Sequence, residues 1–251
     1  MNILPVFIRR RFWLLRRQWF GEIAMIFLIP IFCYLSFGLG IEHLFGTTIE
    51  GHFFRSWIIP GILFVVILIA STVSIFSDFS HSENFQGLGN MVASTPHSHL
   101  SLVTCIVLSL FPEIIVKTIV AGFILFIITG IKLNILHFIG LLIFCVILGF
   151  FCINLFLTIL LLSKRSISNA AWILGISLLL IFTSGWIIPY HNYPQSISNI
   201  FSYLPTTLLG EGGRKVFLTG EILWITGLVP LVVSVFWLFI NSVLFKKEIL
   251  R

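Results

Sequence analysis

Glu113 and Lys117 lie four residues apart inside one long apolar run, directly after Pro112. On a helix that spacing puts both charges on one face. A lone charge at mid-membrane costs roughly 2.5–3.5 kcal/mol on insertion scales, and pairing offsets part of that. Two readings are open: a structural pair near the interface of a tilted helix, or a polar point facing the protein interior. The remaining chemistry-bearing residues are scattered. His97 and His99 stand in a loop beside Pro96 with no carboxylate cluster, and no HExxH spacing offers a helix-borne zinc site. Ser184-Gly185 ends an apolar run, but Phe182 stands in the place of the first glycine of a GxSG motif. Only geometry could define a Ser–His pair there. Cys33, Cys105, Cys145 and Cys152 lack CxxC or metal spacing and read as small packed hydrophobes. A GxxxxGK[ST] phosphate cradle is absent, so energised work would take its nucleotide from another chain.

These residues sit in a chain whose solvent must be lipid. Of 251 residues, 58% are hydrophobic and 10% charged, with a mean hydropathy of +1.11. A soluble domain carries about 25% charged residues. The spacing predicts an all-α membrane protein, one transmembrane domain over 1–251, with spans near 23–41, 57–77, 102–129, 137–162, 170–189 and 222–245. The third is longer than a bilayer needs, so it is tilted or partly outside the core. Six spans put both termini on one side. Ten of the fifteen basic residues fall on that side: Arg9, Arg10, Arg11, Arg16, Arg17, Lys164, Arg165, Lys246, Lys247 and Arg251. The bias toward Lys and Arg places both termini in the cytoplasm. It also explains the sequence pI near 9.4 without a nucleic-acid partner.

The basic N-terminal stretch has no small-residue cleavage site after its first apolar run, so no cleaved signal peptide is expected. In "FIRRRFWLLRRQWF", Arg9, Arg10, Arg16 and Arg17 recur at seven-residue spacing and share one helical face. The segment, about 2–20, is either an interfacial helix with arginines toward anionic headgroups or an ordinary basic flank. Two polar regions break the apolar runs. Residues 78–99, "DFSHSENFQGLGNMVASTPHSH", are too long for a turn between adjacent helices, usually about 2–8 residues. Phe79, Phe85, Leu88 and Met91-Val92 give a partly helical pattern that Thr95-Pro96 ends. It reads as a solvated loop or as a short helix that docks a cytoplasmic partner. The other region, from Trp186 to Gly220, is punctuated by Pro189, Pro194 and Pro205. Its two helical stretches are too short to span about 30 Å of hydrocarbon. They can dip in and return where protein or water satisfies their backbone.

Taken in order, these features resemble the permease subunit of type-2 ABC exporters, the family of Nod-factor, O-antigen, teichoic-acid and drug efflux permeases. The outer segment "SGWIIP…YPQSISNIFSYLPTTLLGEGGR" carries Ser184, Gly185, Pro189, Pro194, Pro205 and Arg214 in the family's order. "ENFQGLGNMVASTPHS" is similar to its coupling region through Glu83, Gly87 and Pro96, with Asn90 where an acid is common. "IPGIL" at 59–63 looks like the family's start of its second span. The resemblance implies an N-terminal interfacial helix, six spans, a cytoplasmic coupling helix and two short re-entrant outer helices. It implies that Asp78, Glu83, Phe85, Gly87, Leu88 and Pro96 serve contact with an ATPase. It places Glu211 and Arg214 in the outer region, where Arg214 either meets substrate or headgroups or anchors at the interface. It further implies two cytoplasmic ATPase subunits carrying the ATP and Mg, a second copy of this chain, and no cofactor on the chain itself. The expected seat is the bacterial cytoplasmic membrane, with an amphiphilic, lipid-linked, glycan-type or drug substrate exported by alternating access. A non-transport scaffold or assembly factor, or an intramembrane enzyme, are the alternatives.

Overall fold

In hydrocarbon an apolar run can satisfy its backbone within itself only as a helix, and the runs of this chain do so. A computed structural model describes residues 4–40, 42, 48–49, 52–79, 98–132, 134–162 and 166–249. The helices are α1 (Leu4–Arg17), α2 (Trp19–Cys33), α3 (Phe54–Phe79), α4 (His99–Thr129), α5 (Ile135–Leu162), α6 (Ser166–Thr183), α7 (Gln195–Phe201), α8 (Pro205–Thr219) and α9 (Trp224–Ile249). A π-helical turn, Tyr34–Leu39, prolongs α2. The one departure from helix pairing among the described residues is a two-rung antiparallel ladder, Thr48 with Phe53 and Ile49 with His52.

Among the described residues, five helices are long and apolar enough to cross a bilayer: Trp19–Leu39, Phe54–Asp78, His99–Thr129, Ile135–Leu162 and Trp224–Lys247. The fifth expected span, 170–189, differs. Helix α6 has 18 residues, about 27 Å at the α-helical rise, just under the hydrocarbon thickness of about 30 Å. It stops at Thr183 rather than near 189 because Gly185 turns into the left-handed region at φ +69°. Pro189 then heads a short 3-10 turn, Tyr190–Asn192.

Helix α3 is the axis of the bundle. Of its membrane stretch 83% is buried inside the chain, against 22% for the first span. Phe54, Trp57, Ile58, Phe64 and Leu68 are fully enclosed, between α4, α5 and α8. Helices α5 and α9 are clamped by a polar knot. Asn241 Nδ2 donates to Asn154 O and Oδ1, Thr158 donates to Asn241 Oδ1, and Trp237 Nε1 donates to Thr158. A polar side chain that finds such partners in the bundle interior holds helices together where apolar contact with lipid would serve as well.

Candidate functional site

The first site begins with Arg11. In α1 the inward stripe is Phe7, Arg11, Leu14 and Leu15, spaced as one helical face. Arg11 stands in that stripe, and its side chain is only 5% exposed. Its Nε donates to Glu113 Oε2 at 2.6 Å, and its Nη1 donates to Asp78 Oδ1 and to Ser77 Oγ, both at 2.9 Å. Glu113 Oε1 accepts from Ser74 and from Lys117. Lys117 Nζ is also 2.5 Å from Glu22 Oε2, an ion pair without hydrogen-bond alignment. The half-exposed Arg10 approaches Asp78 at 3.8 Å. Three carboxylates thus face two buried cations and one partly exposed one. Burial works against the charge of Arg11. The hydrogen bond and charge of Glu113, with those of Asp78, outweigh it and raise its pKa. The cluster ties α1 and α2 to the middle of α4 and to the last turn of α3.

Four of these residues were legible beforehand only in part. Glu113 and Lys117 form their pair, but both turn inward on partners within the same chain. Asp78, expected to meet an ATPase, is 2% exposed and bound to Arg11. It roots the polar segment that follows. Glu83, Phe85, Gly87, Leu88 and Pro96 lie outside the described residues. Arg9, Arg16 and Arg17 are exposed and Arg10 partly so, while Arg11, not singled out from sequence, is the buried member of the run. Its position inside the apolar stripe was the available signal. Glu22, Ser74 and Ser77 carried none, because nothing in the sequence says which helix α1 and α2 lean on.

The second site is at the other end of α3. Helix α8 presses one face into the bundle, and its GEGG run makes that possible. A Cβ at Gly213 would sit 2.6 Å from Phe64, and one at Gly210 2.8 Å from Trp186. On α3, a Cβ at Gly61 would lie 1.9 Å from the carbonyl oxygen of Trp186, so only glycine lets α3 touch the turn after α6. Arg214 is buried here. Its Nη2 donates to Gly185 O at 3.0 Å and Trp186 O at 3.2 Å, and its guanidinium lies 3.7 Å over the Trp57 ring. Trp186 Nε1 donates to Thr206 O, and Ser184 donates to Thr206 Oγ1. The Ser184 hydroxyl is therefore bound to a threonine in a closed turn, not to a histidine. Pro194 precedes α7 and Pro205 opens α8. The other face of α8 borders an open cavity of about 480 Å³, lined by Pro189, Tyr190 and His191 and by Glu211, Arg214, Lys215, Leu218 and Thr219.

Apolar helices of spanning length around a buried ionic cluster define a multi-pass helical membrane protein. Residues 4–218 match the family model described as ABC-2 type transporter, and the chain belongs to that family. No curated protein matches the chain. Membership makes it the membrane component of an ABC transporter, a permease that works in the bilayer with an ABC ATPase and is not itself catalytic.

Proposed function

We propose that the chain is the transmembrane subunit of an ATP-driven exporter, which moves an amphiphilic, lipid-linked or glycan-type substrate or a drug outward across the bacterial cytoplasmic membrane. Two copies and two ATPase subunits make the working unit, with ATP and Mg held by the ATPases. The two termini and the 80–97 segment face the cytoplasm. One observation carries the reading: Arg11 joins Asp78, at the root of that segment, to Glu113 of α4. A force applied to 80–97 reaches a point that cannot yield locally, because separating Arg11 from its carboxylates strands buried charges. The force passes into α3. That helix is 26 residues long, about 39 Å as a rigid rod, and at its far end Gly61 touches the Trp186 turn. Helix α3 is then the lever between ATPase and outer turn.

The test is co-purification with candidate ABC ATPases, followed by assay in inverted vesicles with a panel of fluorescent amphiphiles. ATP-dependent accumulation inside inverted vesicles is expected. Accumulation only in right-side-out vesicles would reverse the direction, and failure of any ATPase to co-purify would favour a scaffold.

A further inference from the structure

The Arg11 cluster uses only one stripe of α1. On the opposite side Arg9, Trp13 and Arg16 recur at four- and three-residue spacing. Ile8 and Phe12 fall between the two stripes on one side, and Arg10 and Arg17 on the other. Arg9, Arg16 and Arg17 are exposed, and no carboxylate lies within ion-pair distance of them among the described residues. The helix carries no acidic residue of its own. Phe12 and Trp13 are 64% and 65% exposed, and the Arg9 guanidinium lies 5.8 Å over the Trp13 ring. After Gln18, α2 begins with Trp19 and Phe20, both exposed. Water around this helix would leave Phe12 and Trp13 wet. Hydrocarbon around it would strand Arg9 and Arg16. One layer suits both, the headgroup layer, where aromatic rings settle and phosphates carry negative charge. The four sides of α1 then match four surroundings: the bundle at Arg11, the acyl boundary at Ile8 and Phe12, the headgroups at Arg9, Trp13 and Arg16, and water at Arg10 and Arg17.

We propose that α1 binds acidic phospholipid headgroups through Arg9, Arg16 and Arg17 around Trp13, and that this binding steadies the Arg11 clasp on the root of the 80–97 segment. The second half rests on the lever proposed above. The binding test needs no ATPase, so the two can fail separately. The full chain in detergent is offered short-chain phosphatidylglycerol and phosphatidylcholine in competition, and bound copies are counted by native mass spectrometry. Phosphatidylglycerol should be preferred. Each of Arg9→Gln, Arg16→Gln and Arg17→Gln should cut that preference about fivefold, the equivalent of about 1 kcal/mol. Trp13→Gln should cut it too, which a diffuse basic flank does not require. Changing the three arginines to lysine keeps every charge and should keep the preference. Changing Lys246 and Lys247 to glutamine, at the basic end of α9, should leave it as it is. A retained preference in the triple glutamine variant, a loss in the triple lysine variant, or an equal loss from the Lys246 and Lys247 changes overturns the proposal. Capture of the ATPase by the wild type but not by the triple glutamine variant, in lipid-free detergent, gives this face to a protein and overturns it as well. In nanodiscs holding the chain with its ATPase, added phosphatidylglycerol should raise ATP-driven turnover several-fold in the wild type and leave the triple glutamine variant unmoved. Lipid binding without that response overturns the regulatory half.

Discussion

At the residue scale, Arg11 decides the most. Its guanidinium fork reaches Glu113 through Nε and Asp78 through Nη1 at once, a two-armed geometry that a lysine ammonium cannot copy. Arg11→Ala leaves two buried carboxylates short of a partner, and such losses cost about 3–5 kcal/mol. A large fall in unfolding temperature, measured on the purified protein, is the expected outcome. Arg11→Lys should recover only part of it. The same geometry revises what a charge-removing double change can do. An isolated Glu113–Lys117 pair could be deleted together without harm, since no charge would be stranded. Here Lys117 also serves Glu22, and Glu113 also serves Arg11. The double change Glu113→Gln, Lys117→Met should therefore be about as unstable as Glu113→Gln alone. Full recovery in the double would show that the Glu22 and Arg11 contacts contribute nothing.

At the scale of elements, α8 is the informative case. Its sequence reads as a weak helix, since glycine costs about 0.8–1.0 kcal/mol relative to alanine at each interior position. Yet Gly210, Gly212 and Gly213 all lie on helix, where close approach to Trp186, Phe144 and Phe64 leaves no room for a side chain. Packing outweighs propensity. Single cysteines in a cysteine-free background should report this pattern to a bulky impermeant thiol reagent. Positions Gln195, Ser196, Asn199 and Lys215 are exposed and should label, whereas Leu209, Gly213 and Val216 are buried and should not. Uniform labelling across α8 would rule out the packed arrangement. The 80–97 segment is tested by Phe85→Asp with Leu88→Asp. Loss of ATPase capture at unchanged membrane yield is expected, and undiminished capture removes the docking assignment.

For the whole molecule, the two sites lie at opposite ends of one buried helix, and the proposed mechanism needs them to be mechanically joined. Gly61→Ala is the sharpest test of that joint. A methyl group 1.9 Å from a backbone oxygen must push the Trp186 turn away from α3. With the 80–97 segment untouched, ATPase capture should persist while ATP-driven transport falls at least several-fold. Transport at the wild-type rate would mean that α3 does not act through this turn.

The sequence by itself determined the solvent and the elements. Apolar runs of spanning length admit one backbone solution in hydrocarbon, so the helices, the two short ones between α6 and α9 and the glycine-proline breaks could be read directly. The Glu113–Lys117 pairing was legible for the same reason, because an i,i+4 relation is local. Where the fifth apolar helix stops was less so, as it depends on the backbone conformation of Gly185. What only the tertiary structure decided is which charges meet across helices. Arg11 and Glu113 are 102 residues apart, and no period in the chain encodes how α1 lies against α4. In lipid the outer faces of helices are all alike, so helix partners are chosen by a few buried polar groups and by small residues that allow contact. Those choices turned Asp78 inward, buried Arg214 under Trp57, and left one face of α8 open to a cavity.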